Sequence, residues 1–301
     1  MARPPRRGLQ QLIHPTTEEE PMPAMLRGLE GKTVLITGAA KGQGLSHALA
    51  FADAGADVAA LDITDPIDDI YPLATADMLE ATVAAVEAKG RRCLPLPCDL
   101  RDEAQVEAAV AKALGFFDHR IDIVVNNAGV AALDTIQGMR SHVMDAVIDT
   151  IVKGHMYVAK YVVPSMIGHR SGKIINISSG VTGSGHAQLS HYVAAKHAIQ
   201  GLTSAWAFEL AEFDINVNAI APATIKPGEG QGSGMVLGLA GEVGMTPDDA
   251  YEMFSAAGNM PGPKWRTEVS DITDAVLFLA SDNADQITGH ILRVDAGQGA
   301  K

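Results

Sequence analysis

The run Thr33–Thr37 (TVLIT) leads directly into Thr37-Gly38-Ala39-Ala40-Lys41-Gly42-Gln43-Gly44 and then into a small-residue, amphipathic stretch, residues 44–54. An apolar, β-branched run predicts a buried strand, and the stretch after the glycines predicts a helix. A glycine turn between strand and helix lets backbone approach a phosphate, and the helix N-terminus adds N–H donors and a positive dipole. Such a turn by itself is equally an ordinary tight turn; the strand and helix flanking it carry the reading.

The same alternation continues outward. Strands are predicted at Asp57–Asp62 (DVAALD), from Cys93 to Cys98, at residues 121–125 (IDIVV), 173–177, 216–220 and Ile291–Val294. Helices are predicted between them: one capped by Thr75 and stopped at Gly90, one opened by Asp102, then 143–166, 191–211 and 271–280. Apolar strands separated by helices predict an α/β fold, a Rossmann-like doubly wound parallel sheet of about seven strands with helices on both faces. Residues 31–301 read as one domain. Residues 1–30, with five of the fifteen prolines and the run Glu18, Glu19, Glu20, read as a flexible N-terminal extension. Residues 226–262 break the rhythm with nine glycines and four methionines, and their place after a strand predicts a substrate lid.

The chain has 301 residues, 47% hydrophobic and 20% charged, enough apolar material for a core and too much for a disordered chain. Its formal net charge of −13 argues against a basic nucleic-acid surface. No apolar run approaches a membrane span, and the basic N-terminus lacks the apolar stretch of a secretory signal. Cys93 and Cys98 lie five apart in one predicted strand, so they face opposite ways and form no disulfide; a reducing, cytoplasmic setting is expected. His186, His191 and His197 are spaced by five and six and put no pair on one helical face, so no metal is expected.

Twenty-four residues after Gly38, the second strand ends in Asp62. A carboxylate there accepts both ribose hydroxyls of an adenosine and repels a 2′-phosphate, whereas Lys41 favours that phosphate. Asp62 outweighs Lys41, which is able to swing into solvent, and the expected cofactor is NAD. Ile63 adjoins Asp62. Asp99, followed by Leu100, is expected to reach the adenine amino group. Asn126-Asn127-Ala128-Gly129 ends the fourth strand, with Asn126, Ala128 and Gly129 beside the cofactor. Tyr192-Val193-Ala194-Ala195-Lys196 places a phenol and an ammonium on one helical face, where the cation is expected to lower the phenol pKa. Thirteen residues upstream, Ser179 lies in the Ser-Ser-Gly turn that ends the strand KIINIS.

On TGAAKGQG, Asp62, CDL (98–100), NNAG, ISS before YVAAK, NVNAIAP (216–222) and the closing FLASD…ITG…VDAG, the sequence resembles the short-chain dehydrogenase/reductase family over residues 31–297. The resemblance implies Tyr192 as general acid/base, Ser179 as hydrogen-bond partner of the substrate oxygen, and Lys196 as holder of the nicotinamide ribose. It also implies cofactor contacts at Pro222 and Ile225, and a homotetramer built through the two long helices. The segment Tyr71-Pro72-Leu73-Ala74-Thr75 before TVAAVEAKGRR, with GQG in the first loop, resembles the mycofactocin-associated, carveol dehydrogenase-like branch. That branch implies a secondary alcohol as substrate, NAD retained through turnover and an external redox partner. Val181, His186 and Gln188 are candidate substrate contacts. Two positions depart from the family pattern: Ile151 stands where a DxNxxG-like stretch carries asparagine, and Ala223 where a glycine follows the sixth-strand proline. Two alternatives stand beside this reading, a dinucleotide-binding sensor without chemistry and a 3-oxoacyl-type carrier-linked reductase.

Overall fold

β1 (Thr33–Thr37) is buried at all five positions because it runs through the middle of the sheet and packs helices on both faces. The computed structural model describes residues 26–226, 234–258, 260, 262 and 265–300; most of the expected N-terminal extension and part of the expected lid lie outside them. The remaining strands are β2 (Asp57–Asp62), β3 (Cys93–Pro97), β4 (Ile123–Asn126), β5 (Gly172–Ile177), β6 (Ile215–Pro222) and β7 (Ile291–Val294). All pair in parallel, in the order β3-β2-β1-β4-β5-β6-β7. The winding reverses between β1 and β4, and it is there, beyond the carboxyl ends of the strands, that such sheets open a crevice.

Three helices cover one face: α1 (Gly42–Asp53), α2 (Ala76–Glu87) and a late helix described below. Phe51, Leu79 and Val83 from these helices pack with Val34, Ile36 and Val58. α3 (Glu103–Phe116) helps cover the other, where Val106 and Val110 meet Leu35 and Val124. Cap chemistry sets the helix starts: Thr75 accepts from Met78 N, and Asp102 accepts from Ala104 N and Gln105 N. Cys93 lies in the core on one face and Cys98 in the core on the other, both as free thiols.

The helix expected at 143–166 is two α segments, α4 (Ser141–Ile148) and α5 (Gly154–His169), joined by a π turn over Asp149–Lys153. The turn ends at Gly154, where a Cβ would stand 2.7 Å from the Leu100 Cβ, so only glycine lets the helix pass this close to the loop after β3. π turns recur where helices carry function, and Ile151, fully buried, sits in this one. A four-residue turn, α6 (Val181–Ser184), precedes α7 (Ser190–Leu210), which packs with α5 on the second face.

The expected lid is not an irregular loop. It contains α8 (Gly234–Glu242) and α9 (Pro247–Gly258), which pack Val236 and Ala240 against Ala250 and Tyr251. Apolar positions at helical spacing, masked in the sequence by the high glycine content, account for the difference. α10 (Val269–Ala280), where Glu268 N donates to Asp271, completes the first face.

Candidate active site

The glycine loop is built around contacts that leave no room for side chains. Gly38 has φ +69° and Gly42 φ +58°. A Cβ at Gly44 would lie 1.9 Å from the Gly38 carbonyl oxygen, so Gly44 shapes the turn from behind rather than facing the cleft. Asn127 locks the loop: its Nδ2 donates to Thr37 O (3.0 Å) and Gly38 O (3.2 Å), while Thr37 Oγ1 accepts from the N–H groups of Asn127 and Ala128. Lys41 caps α1 without a side-chain bond, so the first-turn N–H groups are left for whatever the cleft binds.

Asp62 is buried at the end of β2. Its Oδ2 accepts from Ala40 N (2.8 Å) and its Oδ1 from Ile63 N (2.8 Å). Burial pushes its pKa up to about 6, against the pull of these N–H groups and of Lys41. A carboxylate has about four lone-pair sites, so two remain for hydroxyl donors. Lys41 is not swung into solvent as expected; its Nζ donates to the Pro72 carbonyl (2.7 Å) and sits over the Tyr71 ring. The competing cation is thus spent on holding the 64–75 segment.

β5 and α7 bring the catalytic candidates together. The Ser179 hydroxyl lies beside the Tyr192 phenol, close enough to pull its pKa down against burial. The Lys196 ammonium lies 5.6 Å from the centre of the Tyr192 ring and donates to Ile177 O (2.7 Å). α7 is tied to the sheet from beneath: Ser178 Oγ donates to Lys196 O, and a buried chain runs from Asn126 through Asn176 and Thr203 to Ile199 O. Each such bond is worth about 1 kcal/mol net, but stranding one buried partner costs more. Asn126 is therefore a girder under the site, not a cleft residue. Burial raises the phenol to about 12 and lowers the ammonium to about 7. The expectation that the cation pulls the phenol down is corrected here, because desolvation dominates both groups.

One cleft gathers the remaining predicted residues. Gly38, Lys41, Gly42 and Gln43 line it with Asp62, Ile63, Asp99 and Leu100; so do Ala128, Gly129, Pro222 and Ile225. Ser179, Tyr192 and Lys196 stand at its inner end with Val181 and His186. Gly44, Asn126 and Gln188 are off its surface. Gln188 is exposed, with φ +65°, and its carbonyl accepts from Asp134 N. Asp99 is gripped by Arg101, with Nη2 to Oδ2 at 2.6 Å, so an adenine amino group would have to share that carboxylate. Tyr71 of the 64–75 segment lines the cleft too, and sequence reasoning missed Phe254 as a lining residue. Tyr71 is buried and covered by α8, while the Phe254 ring lies 5.6 Å from that of His186.

The residues fit a dinucleotide on an observation independent of any likeness. Gln43 Oε1 is buried at the cleft without a partner, beside Gly38 and Gly42, whose positive φ keeps this part of the loop free of side chains. Among the described residues no group of three or more His, Cys, Asp or Glu side chains is placed to hold a metal ion, and no helix is long and apolar enough to cross a membrane.

Comparison with known proteins agrees with this geometry. The short chain dehydrogenase family profile matches residues 32–233. The chain is 37% identical over 272 residues to a (-)-trans-carveol dehydrogenase from Rhodococcus erythropolis, covering 89% of this chain and 98% of that protein. It is 34% identical to a 3-oxoacyl-(acyl-carrier-protein) reductase from Thermotoga maritima over 89% and 98% of the two. The crystal structure of carveol dehydrogenase from Mycobacterium avium in complex with NAD superposes with a TM-score of 0.83 at 35% identity, covering 92% of this chain and 100% of that one. With the parallel seven-stranded sheet, the glycine loop and the profile in agreement, this chain belongs to the short-chain dehydrogenase family.

Proposed function

We propose that the protein is an NAD-dependent oxidoreductase that interconverts a secondary alcohol and a ketone on a small apolar or alicyclic, terpenoid-like substrate. The observation that carries the reading is the juxtaposition of Ser179, Tyr192 and Lys196 in one cleft with Asp62 and the glycine loop. The bound nicotinamide would accept or supply the hydride. Ser179 holds the substrate oxygen and Tyr192 Oη takes or gives its proton. The Lys196 ammonium, when charged, favours the phenolate and thus alcohol oxidation. Asp62 would receive the adenosine ribose and oppose a 2′-phosphate, which disfavours the carrier-linked reductase reading.

Ile67, Leu73, Val181, Met235, Val236 and Phe254 make the cleft wall above Tyr192 largely apolar, which suits a compact hydrocarbon skeleton. α8 and α9 act as the lid. The 64–75 segment closes over the cleft between the glycine loop and Tyr192, tied by Lys41 to Pro72 and by His142 to Asp69. The reading includes NAD held through turnover, an external redox partner of the mycofactocin type and a cytoplasmic homotetramer through α5 and α7, where Phe208 is 92% exposed. The test is turnover of carveol and a panel of cyclic and linear secondary alcohols, with Tyr192→Phe as control. Inactivity on every alcohol by protein that binds NAD would overturn the reading.

A further inference from the structure

His155 is a buried titratable group that the Ser–Tyr–Lys chemistry leaves unused. It is the second residue of α5, directly after the π turn, and has no exposed surface. Its Nε2 lies 3.0 Å from the Ala128 carbonyl oxygen. A carbonyl only accepts, so Nε2 carries the hydrogen and Nδ1 a lone pair. That Nδ1 is buried and has no partner. Burial first, then the charge of Lys196, hold the ring near pKa 3, so it is neutral and lies within electrostatic range of the ammonium.

The peptide that His155 grips is the wall of the ammonium's site. The Ala128 carbonyl leads into Gly129, where a Cβ would come 3.5 Å from both Lys196 Nζ and Ile151 Cγ1. Ile151, four residues before His155, brings only hydrocarbon to this wall. A residue serving packing alone after Gly154 would be apolar too, since an unpartnered buried nitrogen is a cost. Lys196 Nζ has three donors, and Ile177 O takes one of them.

We propose that His155 is a positioning residue for Lys196: its Nε2–H fixes the Ala128–Gly129 peptide beside the ammonium, and its Nδ1 supplies a neutral acceptor in a wall to which Ile151 contributes none. An acceptor near the ammonium favours its charged form. Charged Lys196 in turn lets Tyr192 release its proton at lower pH. The inference rests on the acid/base reading of Tyr192 given above.

The test compares His155→Leu, His155→Gln and the double variant His155→Leu with Ile151→Asn, using NAD and a cyclic secondary alcohol that the wild type turns over. His155→Leu is expected to lose about tenfold in kcat, a fraction of a full acid/base contribution, and to move the acid-side limb, where alcohol oxidation rises with pH, to higher pH. Its melting temperature should change little or fall modestly, because the orphaned Nδ1 is gone while the Ala128 carbonyl loses its donor. Glutamine, which keeps a donor and an acceptor, and asparagine at 151 should each restore most of the rate. Wild-type kcat and pH profile in His155→Leu would overturn the inference, as would losses that track melting temperature in all three variants. Side-chain nitrogen NMR of the wild type needs no variant: a neutral ring protonated at Nε2 is expected, and an Nδ1–H tautomer refutes the proposal. Tyr192→Phe runs alongside. If it is dead while His155→Leu is unaffected, only the His155 inference fails; if it turns over normally, the acid/base reading itself is refuted.

Discussion

Replacing Gly238 by alanine tests whether α8 and the 64–75 segment close the site as a unit. Tyr71 is buried against α8 at Gly238. An added Cβ would stand 2.2 Å from Tyr71 Cγ and 2.4 Å from its Cβ. Restoring 3.4 Å contact requires a retreat of about 1.2 Å by a buried ring. Overpacking of this kind costs about 1–3 kcal/mol. Alanine in a helix returns about 1 kcal/mol relative to glycine, leaving a net loss of up to about 2 kcal/mol in the closed state. At about 1.4 kcal/mol per tenfold, dinucleotide release should accelerate by up to about 30-fold. Gly241→Ala, one turn along the same helix, has no heavy atom within 4 Å of the new methyl and serves as the control. Release of NADH is followed by stopped-flow fluorescence against excess NAD. Equal release rates in the two variants would refute the latch between lid and insertion.

Other outcomes follow from the same geometry. Tyr192→Phe should lower kcat by about 10²–10⁴ while NADH affinity, measured by fluorescence titration, stays near that of the wild type. Asp62→Ala should weaken NAD and narrow the gap to NADP in paired KM measurements, since a ribose acceptor and a repulsive charge vanish together; a wild-type preference for NADP would contradict this. The folded-state pKa of Asp62 lies above its ordinary 3.8, at about 6. The unfolded chain therefore releases this proton first, and ligand-free stability falls as pH rises from about 4 to 6, by up to about 3 kcal/mol. Asp62→Asn should flatten that part of the denaturation profile, and an unchanged slope would show that Asp62 is already charged in the folded protein.

The architecture was legible because each strand is a short apolar run closed by a helix cap, as at Thr75 and Asp102, where local chemistry and global packing agree. The site was legible where a residue type serves a local need: Gly38 and Gly42 for positive φ, and Tyr192 and Lys196 for a shared helical face. What the sequence hid depended on contacts between distant segments. Asn126 reads as a cleft residue until Asn176, itself held by Thr203, claims its amide across the sheet. Lys41 reads as a free cation until Pro72, thirty-one positions later, receives its hydrogen bond. The phenol pKa was misjudged because spacing reports its proximity to Lys196 but not its desolvation. The π turn has no sequence mark; it reflects the passage of Gly154 against Leu100.

The most direct test of the central claim is the reduced-nicotinamide absorbance after mixing NAD-loaded protein with carveol in a single-turnover experiment. A rise matching the bound dinucleotide, absent in Tyr192→Phe, is the predicted result, and it holds whether or not NAD exchanges freely. No rise with carveol or any other secondary alcohol, in protein shown to be saturated with NAD, would contradict the account and leave a dinucleotide-binding protein without hydride chemistry.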